Sequence, residues 1–128
     1  MRVTVEEAAK IVDPDLRART LRKWCSRPRV SDDGAILALL ARWADDDGFV
    51  ELINRPNNNG KTALMFACKY QSTEIFRLLM GRGADVTIVE PVQSHTALSY
   101  AREVLDEADS EDERQRAREM IQRLEKAT

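Results

Sequence analysis

Read for the spacing of its apolar side chains, the chain breaks into short helical blocks divided by polar stretches that carry Pro, Gly or Asn. Thr4-Val5-Glu6-Glu7 has the S/T-x-x-E form of a capping box, in which the threonine oxygen and the glutamate each satisfy a free backbone N–H at a helix start. It predicts a helix over Val5–Val12. Asp13-Pro14-Asp15 stops that helix, and Asp15 is expected to cap a second one from Leu16 to about Cys25. On that helix Leu16, Leu21, Trp24 and Cys25 share one side, while Arg19, Arg22 and Lys23 share another. Ser26–Asp33, with Pro28, reads as a loop. Ala35–Ala44, AILALLARWA, is apolar nearly all round and predicts a helix buried on most sides. Asp45-Asp46-Asp47-Gly48 ends it, FVELIN reads as a connection, and Asn57-Asn58-Asn59-Gly60 marks a turn because Asn and Gly tolerate positive φ.

The second half is more regular. Thr62–Tyr70, a break at Gln71-Ser72-Thr73, Glu74–Met80 and the closing Gly81-Arg82-Gly83 predict two short helices joined by a tight turn. The opening of this unit, Gly60-Lys61-Thr62-Ala63-Leu64-Met65-Phe66-Ala67, is echoed by Ser94-His95-Thr96-Ala97-Leu98-Ser99-Tyr100-Ala101, with the two threonines 34 positions apart. A period near 33 is that of ankyrin repeats. Residues 60–85 resemble one complete ankyrin repeat. Gly60-x-Thr62-Ala63-Leu64 stands for the family's G-x-T-P-L opening, Ala67-Cys68 for its paired alanines, Glu74-Ile75 and Leu78-Leu79 for its second helix, and Gly83-Ala84-Asp85-Val86 for its G-A-D-V hairpin.

The resemblance implies an all-α fold: an ankyrin-repeat-like solenoid of stacked helix-turn-helix units with β-hairpin loops. The physical chemistry of the matched positions agrees with it. The Thr62 hydroxyl suits a helix start, small Ala67 and Cys68 suit close helix approach, and Leu64, Ile75, Leu78 and Leu79 suit contact between layers. Gly83 permits a left-handed exit from the second helix. One unit cannot bury its own faces, so the flanks must supply neighbours. The expected layout is one domain over 1–128: an N-terminal helix or arm at 1–15, a degenerate first repeat at 16–56 with Asn54 closing its hairpin, a full repeat at 57–89, and a capping repeat at 90–128. In the last, the helix after Thr96 extends through Leu105, Asp106–Asp112 is a polar loop, and a helix from Glu113 to about Lys126 sets Met120, Ile121 and Leu124 inward with a wet outer face.

Three departures from the family pattern stand out. Its T-P-L-H becomes Thr62-Ala63-Leu64-Met65 and Thr96-Ala97-Leu98-Ser99, so the histidine that links adjacent repeats is missing. The glycine of the inter-helix turn is Gln71, which costs about 1 kcal/mol if the site is left-handed. The second hairpin has one extra residue around Glu90–Ser94, with Pro91 inside it and Ser94 in place of glycine.

Composition narrows the chemistry. Hydrophobic residues make up 43% and aromatics only 5%, so the core must be aliphatic and alanine-rich, as closely packed helices require. No apolar run reaches the roughly 20 residues needed to span a bilayer, and MRVTVEEAAK lacks the apolar stretch of a secretory signal. These features lead us to expect an intracellular protein, cytoplasmic or nuclear, with Cys25 and Cys68 as reduced thiols. Net charge is only −2, yet residues 1–30 hold eight Lys/Arg against four Asp/Glu and residues 31–60 hold two against six. Such asymmetry can steer a charged partner, or simply give two solvated faces.

No catalytic constellation emerges. Gly60-Lys61-Thr62 matches the end of a P-loop, but the required upstream glycine is Arg55. His95 is the single histidine, and the two cysteines lie 43 positions apart, too few and too scattered for a thiol enzyme or a zinc site; Asp45-Asp46-Asp47 lacks calcium-loop spacing. The expected function is therefore non-catalytic binding of another protein, with no cofactor and no metal, as a monomer or weak homo-oligomer. The resemblance places the binding residues on hairpin tips and the exposed first helices: Asn58, Asn59 and Lys61, then Lys69 and Tyr70, then Gln93, His95 and Glu103. Tyr70 is the best single anchor, since an aromatic with a polar end offers large contact area at low entropic cost. Two other readings stand beside it: nucleic-acid binding through Arg17, Arg19, Arg22, Lys23, Arg27 and Arg29, and a self-associating structural protein.

Overall fold

The computed structural model describes residues 4–27 and 34–127, so Arg29 and most of the expected loop around Pro28 lie outside the described residues. Among the described residues there are eight α-helices and no strand. Helix α1 spans Val5–Ala9, α2 Pro14–Cys25, α3 Gly34–Ala44, α4 Phe49–Ile53, α5 Ala63–Tyr70, α6 Thr73–Gly81, α7 Ala97–Glu107 and α8 Glu111–Ala127.

Side chains at the helix starts explain most boundaries. Thr4 Oγ1 accepts from Glu7 N at 3.1 Å, as its capping-box spacing predicts. The helix ends at Ala9, well short of Val12, which is 80% exposed, and Pro14 keeps Asp13 in the extended region. Asp13, not Asp15, caps α2: it is extended, its carboxylate accepts from Asp15 N at 3.2 Å, and Pro14 occupies the first turn, where its missing N–H costs nothing. The cap of α8 was equally legible and was missed. Ser110 Oγ accepts from Glu113 N at 3.2 Å while the Glu113 carboxylate accepts from Asp109 N at 3.2 Å, so the helix starts two residues before the expected Glu113; α7 also runs on to Glu107, and the expected loop shrinks from both ends to 108–110.

The helices form three layers. An inner row runs α2, α5, α7, each packed on the next; behind it an outer row runs α3, α6, α8. Helix α1 leans on α3, and α4 fills the corner between α2 and α3. That corner corrects the expectation of a plain connection through FVELIN, since Phe49, Leu52 and Ile53 are all buried. Where inner helices meet, the buried residues are small: Ala18, Ala63, Ala67, Cys68, Ala97 and Ala101. Small side chains let backbones approach closely, and the larger Leu64, Ile75, Phe76 and Leu79 fill the space between rows, each such burial contributing roughly 1.5–3 kcal/mol. One apolar cluster runs without a break from Ala8 to Leu124.

Two expected faces are narrower than the sequence suggests. Leu16 is 45% exposed, leaving Leu21, Trp24 and Cys25 as the apolar side of α2. Helix α3 buries Ile36, Leu39, Leu40 and Trp43 but exposes Ala35 and Ala38, because it lies on the outside of the stack and meets the core along one side. The outer face of α8 is solvated as expected, with Ala117, Met120 and Leu124 buried beneath it.

Candidate functional site

The loops between layers are organised from within. In the first, Asn57 N donates to Lys61 O, and the Asn57 side-chain oxygen accepts from Asn59 N and Lys61 N, all at 2.9 Å. Gly60 takes φ of +80° and lies against the Pro91 ring, where any Cβ would collide. In the second loop Glu90, which is one ankyrin period after Asn57, has the same role. Its N–H donates to His95 O at 2.9 Å, and its carboxylate accepts from Val92 N at 2.8 Å, Gln93 N at 3.1 Å and His95 N at 3.2 Å. This loop carries the extra residue, so it needs the longer side chain to reach across; Ser94, at φ of +58°, takes the place that Gly60 holds in the first loop.

Glu90 is fully buried. Burial would raise its pKa, but the three N–H groups and the adjacent His95 outweigh that and hold the carboxyl below its ordinary value. Two signs in the sequence point to this residue: it stands one ankyrin period after Asn57, and it opens the lengthened loop. Tyr100, buried beneath the loop, donates to Glu90 at 3.5 Å, and burial followed by the charges of Glu90 and Glu103 pushes its phenol up.

With Asn57 and Glu90 holding the loops from inside, Asn58, Asn59 and Gln93 are exposed at the tips, and Lys61 is half-buried. Lys69 is exposed at the end of α5, its ammonium 5.6 Å from the centre of the Tyr70 ring, and Tyr70 stacks on Phe66 at 6.5 Å. His95 Nε2 lies 3.5 Å from Glu103 Oε2 and its ring packs on Tyr100 at 4.8 Å. By element the eight expected residues fall into three groups: the first loop, the end of α5, and the second loop with α7, where His95 meets Glu103.

Between α2 and the first loop lies a groove of about 510 Å³ that the sequence did not assemble. Arg19, Arg22 and Lys23 of α2 form one wall, Arg55 to Asn58 the other, and Phe66 of α5 closes it. Phe66 is one helical turn from Tyr70, a spacing that would have revealed it. The basic stripe on α2 is therefore split. Arg17 turns to the opposite side, donating to Ile11 O at 2.9 Å and Asp46 at 2.7 Å while lying over the Trp43 ring. Arg22 donates to Arg55 O at 3.0 Å, and Arg55 pairs with Asp15. Burial first, then the charges of Arg19 and Arg55, depress the Arg22 pKa.

Asn54, expected only to close a hairpin, reaches the segment after α6: its amide donates to Gly83 O at 3.2 Å and accepts from Asp85 N at 2.7 Å. The family model described as ankyrin repeats (many copies) matches residues 46–101. That stretch of the chain carries ankyrin repeats. No curated protein and no solved structure matches it. The ankyrin segment covers both loops, α4 to α6 and the start of α7, so the first tip, the end of α5, His95 and Gln93 lie inside it and Glu103 just beyond. Gln71, in the turn where the ankyrin pattern has glycine, is left-handed at φ of 55°, and its side chain bonds to Glu113 O at 2.8 Å and to Arg116 at 3.0 Å.

Cys25 and Cys68 are both fully buried, and burial pushes both thiols far up, so neither is a ready nucleophile. Among the described residues no group of three or more His, Cys, Asp or Glu is arranged to hold a metal ion, and no helix is long and apolar enough to cross a membrane.

Proposed function

We propose that the chain is a non-catalytic module that holds another protein across the inner row of helices and the loop tips. Ankyrin repeats are in general protein-interaction modules. The observation that carries the reading here is the internal bracing of both loops by Asn57 and Glu90, which keeps exposed polar tips in place before any partner arrives. Preorganisation of this kind lowers the entropic cost of association. Asn58, Asn59, Lys61, Lys69, Tyr70, Gln93, His95 and Glu103 form the contact surface, with Tyr70 as its anchor. The two buried free thiols suit a reducing, intracellular compartment.

The test is a pull-down with the purified chain against its Lys69→Glu/Tyr70→Ala variant. Lys69 is exposed and Tyr70 half-buried, so the variant should melt near the wild-type temperature while the proteins captured by the wild type are lost. Full retention of those proteins by the folded variant would reject this surface.

A further inference from the structure

The groove between α2 and the first loop has a charge the overall composition conceals. Arg19, Arg22, Lys23 and Arg55 line it; the one carboxylate in its wall, Asp15, is already paired with Arg55. The side chains of Arg19 and Lys23 make no hydrogen bond or ion pair among the described residues, and both are exposed. Cations crowded into one recess repel one another, and an anion placed among them relieves that repulsion. At the far end the half-buried Phe66 continues through its stack with Tyr70 to the Lys69 ammonium, so the basic wall leads onto a short aromatic ledge. Carboxylates near an apolar side chain are what such a recess accommodates.

We propose that this groove seats a short acidic peptide segment of the partner, its Asp or Glu carboxylates on Arg19, Arg22 and Lys23 and a Leu or Phe side chain on Phe66. The inference rests on the protein-binding reading above and names the chemistry of the bound segment. A peptide suits the recess better than a long polyanion. The volume, about 510 Å³, is that of a small-ligand site, and a nucleic acid running past it meets the exposed Asp13 and Asp15 at the start of α2. Arg17, which would extend a phosphate track along the helix, is committed to Asp46 on the other side.

The probe is a fluorescein-labelled peptide of alternating Glu and Leu with one Phe, titrated by anisotropy against the whole chain. Binding should weaken at least about tenfold between about 0.05 and 0.5 M salt and by a similar factor in Arg19→Glu/Lys23→Glu, whose altered side chains support no other part of the fold. Phe66→Ala should weaken it further without changing the salt slope. Equal affinity for the same peptide with every Glu replaced by Gln overturns the proposal, as does indifference to the charge reversal. Tighter binding of a single-stranded oligonucleotide of equal charge overturns the choice of peptide. Absence of peptide binding sinks the groove alone, because the Lys69 and Tyr70 pull-down reads a surface that does not require it.

Discussion

Gln71 shows how a single side chain can earn a strained backbone. The turn between α5 and α6 is left-handed at Gln71, a geometry that glycine adopts without strain. Glutamine is accommodated because its amide reaches α8 from both ends, donating to Glu113 O and accepting from Arg116. Gln71→Ala keeps the strain and loses both bonds, so urea denaturation should find it about 1–2 kcal/mol less stable. Gln71→Gly loses the same bonds but sheds the strain, and should recover about 1 kcal/mol of that deficit. Equal stability of the two variants would mean the turn is unstrained. Glu90 yields a pH dependence. Its folded-state pKa lies below the ordinary glutamate value of about 4.5, so its contribution is complete above that pH and is lost as pH falls through the folded value. Thermal melts from pH 6 down to about pH 3 should therefore fall less steeply for Glu90→Gln than for the wild type, from a lower starting point.

Among the elements, α5 and α6 were legible because their two turns carry every cue at once: a threonine cap, small residues at the close approach, apolar spacing and a glycine exit. Helix α4 was not, since five residues are too few to display a period, and its entry depends on Gly48 at φ of +87° and on a corner that exists only once α2 and α3 are in place. The basic groove was hidden for a related reason: its walls come from residues more than thirty positions apart, and sequence places Arg19 beside Arg17, whereas the fold sends them to opposite sides. Helix α8 offers the clearest test at this scale. Ser110→Ala removes the acceptor at its first turn and should cost about 1 kcal/mol; Met120→Ala opens space under its centre and should cost about 2–5 kcal/mol. Gln122→Ala, on the wet face, should stay within about 0.5 kcal/mol, and a larger loss would show that this face is covered.

For the molecule as a whole, layered packing makes each helix pair depend on its immediate neighbours. Ion pairs add a second set of ties across the outer row, where Arg77 joins Glu74 on its own helix to Glu119 on α8 at 2.7 Å. Both tryptophans of the chain, Trp24 and Trp43, belong to the first layer and stack at 5.9 Å. Indole emission is thus a gauge planted at one end of the column, blind to the other, whereas far-UV circular dichroism sums the helices of every layer. In Leu124→Ala, whose defect lies at the distant end, the dichroism curve should begin to fall at lower urea than the emission curve; superimposed curves would establish that the column gives way as one piece. A pair of rings stacked inside one layer therefore doubles as a built-in reporter of the order in which the stack comes apart.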